Sequence, residues 1–298
     1  MTRDRQFVAP VERLLQLRML PALDRLPPVF LGAIAQRTRE RLFRQGALLL
    51  DPLRPVGAAY LVVEGRVAVG TDGEQRPAVG AGTAVGFLEL LARIERGIEA
   101  RALSDTLTLE LDWDAHLDLC DDHFAILHTY LQFLAGRLVS EMTVIPAGTG
   151  PGATPASRLA ADGTLDLVQR VLALGNDAAF STSSLDAIAE LARHAVAVRY
   201  GAGDNLWSRG EAAAGFVLVT AGSVRCVLQD GQSRHAEPTV ALGLHEALAG
   251  LPHWFDATAA SPVSGLEIHV DPLLDILEDH LELGMDLMSK LARQLLGV

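Results

Sequence analysis

Between Val85 and Asp105 the chain reads VGFLELLARIERGIEARALSD, with Gly86, Glu89 and Arg96 set among apolar residues. A carboxylate accepts hydrogen bonds from hydroxyls, and a guanidinium fork pairs with oxyanions. A glycine beside them lets backbone approach a bound group closely. These types suit a small cradle for an anionic ligand. They do not suit a reaction, because the sequence holds no GxSxG, P-loop, HExxH or HxH pattern and its nine histidines are scattered. No catalytic residue and no metal ligand is expected.

Each residue also has a plainer use. Glu89 can cap or solvate a short helix. Arg96 can be a surface charge in RIERGIEAR, where Arg93, Glu95, Glu99 and Arg101 offer neighbours. The acid–histidine pairs Asp122-His123 and Asp279-His280 suit a helix start better than a metal.

The elements that would position these residues occur twice. A shift of 157 residues, the step from Gly86 to Gly243, also lays Gly46 on Gly203, Gly65 on Gly222, Glu89 on Glu246 and His123 on His280. A unit this long is a duplicated domain and not a solenoid repeat. The stretch PAGTGPGATPAS, Pro146 to Ser157, is rich in Pro, Gly, Ala and Thr and reads as a linker. The expected organisation is domain 1 over 1–145, a linker over 146–157 and domain 2 over 158–298.

Each half opens with apolar residues at helical spacing, broken by prolines in the first. In the second half, Ser183 or Ser184 is the expected helix cap. Strand-like runs come next: AAYLVVEGRVAVG and GFVLVTAGSVRCVLQ pivot on a glycine, TDGEQ and QDGQS read as turns, and EARALSDTLTLELD alternates. Each half then closes in a helix, the first expected over 122–142, with Phe124, Leu127, Leu131, Leu134 and Leu138 along one face.

Composition narrows the function classes. The chain has 298 residues, 49% of them hydrophobic, and a formal net charge of −12. That charge disfavours binding nucleic acid, which relies on Lys and Arg displacing counterions. No basic recognition helix is evident, and the chain stops at Val298 just after its last helix. No segment approaches the run of about 18 apolar residues that a membrane span needs. The charged N-terminus lacks the apolar core of a signal peptide. Cys120 and Cys226 read as buried thiols in a reducing compartment. A cytoplasmic protein is expected, with no nucleic acid or membrane partner.

The order of motifs, LLQLRMLPALDRLPPVFLGAIA, AAYLVVEGRVAV, the Val85–Asp105 stretch and ARALSDTLTLELD, resembles that of cyclic nucleotide-binding domains. These are the sensor modules of bacterial catabolite regulators, protein kinase A regulatory subunits and cyclic nucleotide-gated channels. The second half resembles them too. The resemblance implies an α+β, mainly β fold: two jelly-roll-like β-barrels, each flanked by short N-terminal helices and a long C-terminal helix. It also implies a phosphate-binding cassette. There a short helix presents N–H groups to the cyclic phosphate, a glutamate accepts from the ribose 2′-hydroxyl, and an arginine pairs with the phosphate.

On this chain the implied ligand contacts are Gly86, Phe87, Leu88, Glu89, Leu90, Arg96, Gly97 and Ile98, with cyclic AMP or cyclic GMP as the implied ligand of domain 1. Leu88 stands where the family has glycine, Gly97 where it has Ser or Thr, and Ile98 where it has alanine. The second cassette keeps Gly243 and Glu246 but has His245, His253 and Trp254 at the glycine, arginine and hydroxyl positions. No arginine lies between Gly243 and Pro262, so a buried phosphate there would lack a counter-charge. Domain 2 is therefore read as degenerate, with His253 an exposed loop residue. Two readings fit this pattern. One is a non-enzymatic regulatory sensor whose first domain binds a cyclic nucleotide and signals through the helix over 122–142. The other is a ligand-free interaction scaffold or dimerisation module. Both call for a protein partner, and the apolar terminal helices suit either a homodimer or pairing within one chain.

Overall fold

The computed structural model describes residues 8–71, 74–75, 78–95, 98–141 and 165–298. Within them the fold is α+β and mainly β. The chain divides into two compact units, one holding residues 1–130 with 291–298 and the other residues 131–290. The linker over 146–157 lies outside the described residues, as do Asp72 and Gly73 of the TDGEQ segment.

In unit 1, α1 (Pro10–Arg18) and α2 (Pro28–Arg37) precede the strands. Each has proline in its first turn, where the missing N–H costs nothing. The strands are β1 (Arg39–Phe43), β2 (Leu48–Leu50), β3 (Ala58–Glu64), β4 (Val67–Thr71), β5 (Glu74–Gln75), β6 (Ala84–Val85), β7 (Glu99–Ala102) and β8 (Thr106–Asp112). They form two antiparallel four-stranded sheets, in orders β1-β8-β3-β6 and β2-β7-β4-β5. Glu74 and Gln75, expected in a turn, are a short strand paired with Gly70 and Thr71.

Unit 2 repeats this strand for strand. Its elements are α6 (Leu167–Gly175), α7 (Leu185–His194), β9 (Val196–Tyr200), β10 (Asn205–Trp207), β11 (Gly215–Ala221), β12 (Val224–Val227), β13 (Ser233–Ala236), β14 (Val240–Leu242), β15 (Asp256–Ala259) and β16 (Val263–His269). The sheet orders β9-β16-β11-β14 and β10-β15-β12-β13 match those of unit 1. Register matches as well: Tyr60 faces Glu110, and at the equivalent positions Val217 faces Glu267. A bulge falls between Val62 and Glu64 and again between Val219 and Ala221. Ser184, not Ser183, caps α7, accepting from the Ala187 N–H at 3.3 Å.

Between the sheets of unit 1 lie Leu49, Leu50, Val62, Val67, Val85, Leu90, Ile98 and Ala100. The counterpart in unit 2 includes Trp207, Val219, Val224, Cys226, Phe255 and Ala257. Both cysteines are buried and free. Burial pushes each thiol up to about 12, so neither is a thiolate at neutral pH.

The terminal helix expected over 122–142 is α5 (Phe124–Glu141), with Met142 outside the described residues, and a further helix, α4 (Trp113–Asp122), precedes it. His123 separates α4 from α5 with φ −144° and ψ 86°, its ring held 5.5 Å from that of Phe30. Asp112 starts α4 by accepting from the Ala115 N–H at 2.8 Å. In the second copy α9 (Val270–Asp279) and α10 (Leu281–Leu296) break at His280, whose Nε2 lies 2.9 Å from Glu190. The histidines thus mark the bends between helices. Leu127, Leu131, Leu134 and Leu138 on α5 are buried, as their spacing demands.

Candidate functional site

In each copy a β-strand passes through a glycine into a short helix. Gly86 (φ +80°) opens α3 (Phe87–Leu91), and Gly243 (φ +87°) opens α8 (Leu244–Ala249). A Cβ at Gly86 would stand 2.8 Å from Leu50 Cδ1 and 3.3 Å from the Ala58 carbonyl oxygen. Both the left-handed backbone and the contact require glycine there. Ahead of Gly243 the same space is filled differently, with His253 Cε1 3.0 Å from where a Cβ would stand.

The third residue of each helix is the shared glutamate. Neither is solvated: Glu89 is 7% exposed and Glu246 2%. In α3, Leu90 and Leu91 point into the core and Leu88 is half-buried. Phe87 packs edge-on against Tyr130 of α5 at 5.3 Å. Ile98 is a core residue between the sheets. The structure therefore brings Gly86, Phe87, Leu88, Glu89 and Leu90 onto one turn of helix and places Ile98 beneath them in the core. Arg96 and Gly97 lie outside the described residues. Glu99 and Arg101, considered above as neighbours of Arg96, pair with each other at 2.9 Å.

Arg93, read from sequence as a surface charge, has a defined role. It adopts φ +51°, rare for a residue with a side chain, and its guanidinium lies 5.4 Å over the Trp113 ring. Trp113 and Tyr130 in turn flank His116 at 5.5 and 5.4 Å. Both ends of the first cassette thus touch one aromatic group carried by α4 and α5. Burial holds His116 down to about 4, so it is neutral at physiological pH.

The second cassette corrects one expectation. His253 is not an exposed loop residue: it is 6% exposed and stacked on Trp207, ring centroids 4.2 Å apart and planes 13° from parallel. Its Nδ1 lies 3.8 Å from Glu246 Oε1, too far for a hydrogen bond. Trp207 stands where the first copy has Leu50, and His253 where it has Arg96. Burial, then the nearby Glu246 charge, account for the raised Cys226 thiol. Sequence reasoning missed Trp207 altogether. Its signal was the alignment of the halves, in which Leu50 and Arg96 become Trp and His together.

Among the described residues no three His, Cys, Asp or Glu side chains are grouped to hold a metal ion, and no helix is long and apolar enough to cross a membrane.

No family model and no curated protein matches the chain. Solved structures do. A mutant regulatory subunit of a cAMP-independent protein kinase A from Trypanosoma brucei, bound to cAMP in its A site, is 16% identical over 94% of this chain and 93% of its own, with a TM-score of 0.39. The N-terminal domain of a transcriptional regulator from Streptomyces coelicolor is 21% identical over 45% of this chain and 99% of its own, with a TM-score of 0.41. The catabolite activator protein of Thermus thermophilus is 28% identical over 40% of this chain and 59% of its own, with a TM-score of 0.36. With TM-scores below 0.5 these are likenesses only, and the functional reading rests on the chain's own residues.

Proposed function

We propose that this chain is a non-enzymatic regulatory sensor built from tandem cyclic nucleotide-binding-like domains, 1–145 and 158–298, joined by the linker 146–157. Each domain is read as a jelly-roll-like barrel. The first cassette binds a cyclic nucleotide such as cyclic AMP or cyclic GMP through Gly86, Phe87, Leu88, Glu89, Leu90, Arg96, Gly97 and Ile98, and the second is closed. The observation that carries this reading is the short helix entered through a left-handed glycine, with a buried glutamate at its third position, repeated 157 residues on. A glutamate carried on that turn is placed to accept a hydrogen bond from a ligand hydroxyl, which favours a binding use. The event in the first cassette passes to α4 and α5 through Phe87–Tyr130 and Arg93–Trp113. A protein partner, or a second copy of the chain, then reads it in the cytoplasm.

Thermal unfolding with cyclic AMP, cyclic GMP and cyclic dinucleotides tests this. A ligand at a hundred times its Kd adds about 2.7 kcal/mol. Glu89→Gln and Arg96→Ala abolish the shift, whereas Glu246→Gln preserves it. No shift in the intact chain rejects the sensor reading. It leaves the ligand-free scaffold, which the stacked and buried His253 of the second copy favours.

A further inference from the structure

Two repeat positions meet in both units. Residue 293 is equivalent to 136, and residue 249 to 92. In unit 1, Arg293 Nε donates to the Ala92 carbonyl at 2.8 Å and Nη2 donates to the Arg93 carbonyl at 3.2 Å. In unit 2, a Cβ on Gly136 would lie 3.9 Å from Ala249 Cβ. Each unit therefore pairs one copy's cassette with the closing helix of the other copy.

The turn after the cassette helix differs between the copies in a matching way. Position 93 is equivalent to 250, and both are left-handed: Arg93 at φ +51° and Gly250 at φ +64°. Both backbones close the same turn, Arg93 N–H to the Leu90 carbonyl at 3.1 Å and Gly250 N–H to the Ala247 carbonyl at 3.2 Å. Glycine adopts that conformation at no steric cost, whereas arginine is strained by it. The copy with the strained residue is the one held by Arg293, and the copy with glycine faces Gly136, which has no side chain.

We propose that Arg293 is a positioning residue for the first cassette, clasping the turn after α3 in a conformation that Arg93 would not hold unaided. The carbonyls that end a helix lack partners inside it and carry its negative dipole end, so a guanidinium suits them. Leu291 and Ala292 are buried and anchor the segment from which Arg293 reaches. The Arg93 side chain is restrained separately, over Trp113. The clasp stands on geometry, while its effect on affinity rests on reading the first cassette as the ligand-binding one.

Hydrogen exchange on the full chain tests the clasp without any ligand. In Arg293→Met the amides of Arg93 and Ile94 exchange about fivefold faster, the factor expected for exposed charge-assisted bonds. Leu244–Leu251 is unchanged, and so is the melting temperature. Arg293→Lys recovers part of the protection, because an ammonium still donates to a carbonyl. In an Arg93→Gly background Arg293→Met has a smaller effect, because the glycine turn carries no strain for the clasp to offset. Unchanged exchange in Arg293→Met overturns the clasp, as does a rise spread over Leu244–Leu251, a global loss of stability, or a full effect in the Arg93→Gly background. Titration with cyclic AMP and cyclic GMP separates the two ideas. If the intact chain binds one, Arg293→Met weakens it by a similar factor. If it binds neither, the ligand reading fails and the exchange comparison alone decides the clasp.

Discussion

Removing the His253 ring tests how the second cassette is closed. In His253→Ala the lost stack on Trp207, at 4.2 Å and 13°, costs about 0.5–1.5 kcal/mol. Glu246 Oε1, buried without a hydrogen bond and 3.8 Å from Nδ1, would then face an apolar gap. The cavity left by the buried ring adds about 2 kcal/mol. The expected loss is about 2–4 kcal/mol, read by urea denaturation. Imidazole in the buffer should restore part of it by filling the space the ring left. In a double-mutant cycle with Trp207→Leu, the residue found at the equivalent Leu50, the two changes should couple by about 1 kcal/mol. A loss under about 0.5 kcal/mol, or strict additivity with Trp207→Leu, would refute the stacked closure.

Buried titratable groups and the cassette glycine give the other expected outcomes. Asp177 is 3% exposed; burial raises its carboxyl to about 6, against the hydrogen bonds from Ala179 and Ala241 and the charge of Lys290. Its folded value lies above its unfolded one, so its contribution is full below about pH 4 and is lost as pH rises through about 6. Asp177→Asn should remove that decline, about 3 kcal/mol, from a profile of stability against pH. His116 runs the other way: its folded value of about 4 lies below the ordinary 6.5. Stability is full above about pH 6.5 and falls by about 3 kcal/mol as pH drops through 4, so His116→Leu should move the acid-unfolding midpoint downward. Gly86→Ala meets both a left-handed backbone and Leu50 Cδ1 at 2.8 Å, whereas Gly46→Ala meets φ +85° with nothing within 4 Å. The first should cost about 2–3 kcal/mol and the second about 1 kcal/mol in urea denaturation.

Periodic and repeated features were legible in the sequence; contacts across long separations were not. The shift of 157 residues anticipated sheets that match in order, register and bulge, because strand alternation and turn glycines are local properties written twice. The glycine-to-glutamate step of each cassette was visible for the same reason. The starts of α5 and α10 beside His123 and His280 were legible in the acid–histidine pairs, whereas the partners of these histidines, Phe30 and Glu190, were not, because they lie far off in the chain. The α4 helix was overlooked because its few buried residues make a weak stripe within WDAHLDLCDD. His253 looked exposed because its neighbours in LPHWFD are turn-like, and burial came from Trp207 on a different strand.

The two copies differ around the cassette and hardly at all in their sheets, and the kinds of difference assign them unequal capacities for change. In the second, Trp207, His253 and Glu246 close the space with buried groups, and Gly250 lets the turn after the helix adopt its left-handed conformation without strain. Opening it means unstacking rings in the core and leaving a carboxylate without its neighbour, a change of several kcal/mol. In the first, the turn is strained at Arg93 and held by hydrogen bonds from an exposed arginine. Such bonds exchange readily with water and contribute about 1 kcal/mol, on the order of the strain they offset. A group binding beside Glu89 therefore needs little differential affinity to shift the first turn, while the second stays as packed. Any ligand response of this chain should accordingly begin at Gly86–Arg93, with Gly243–Gly250 as its fixed reference.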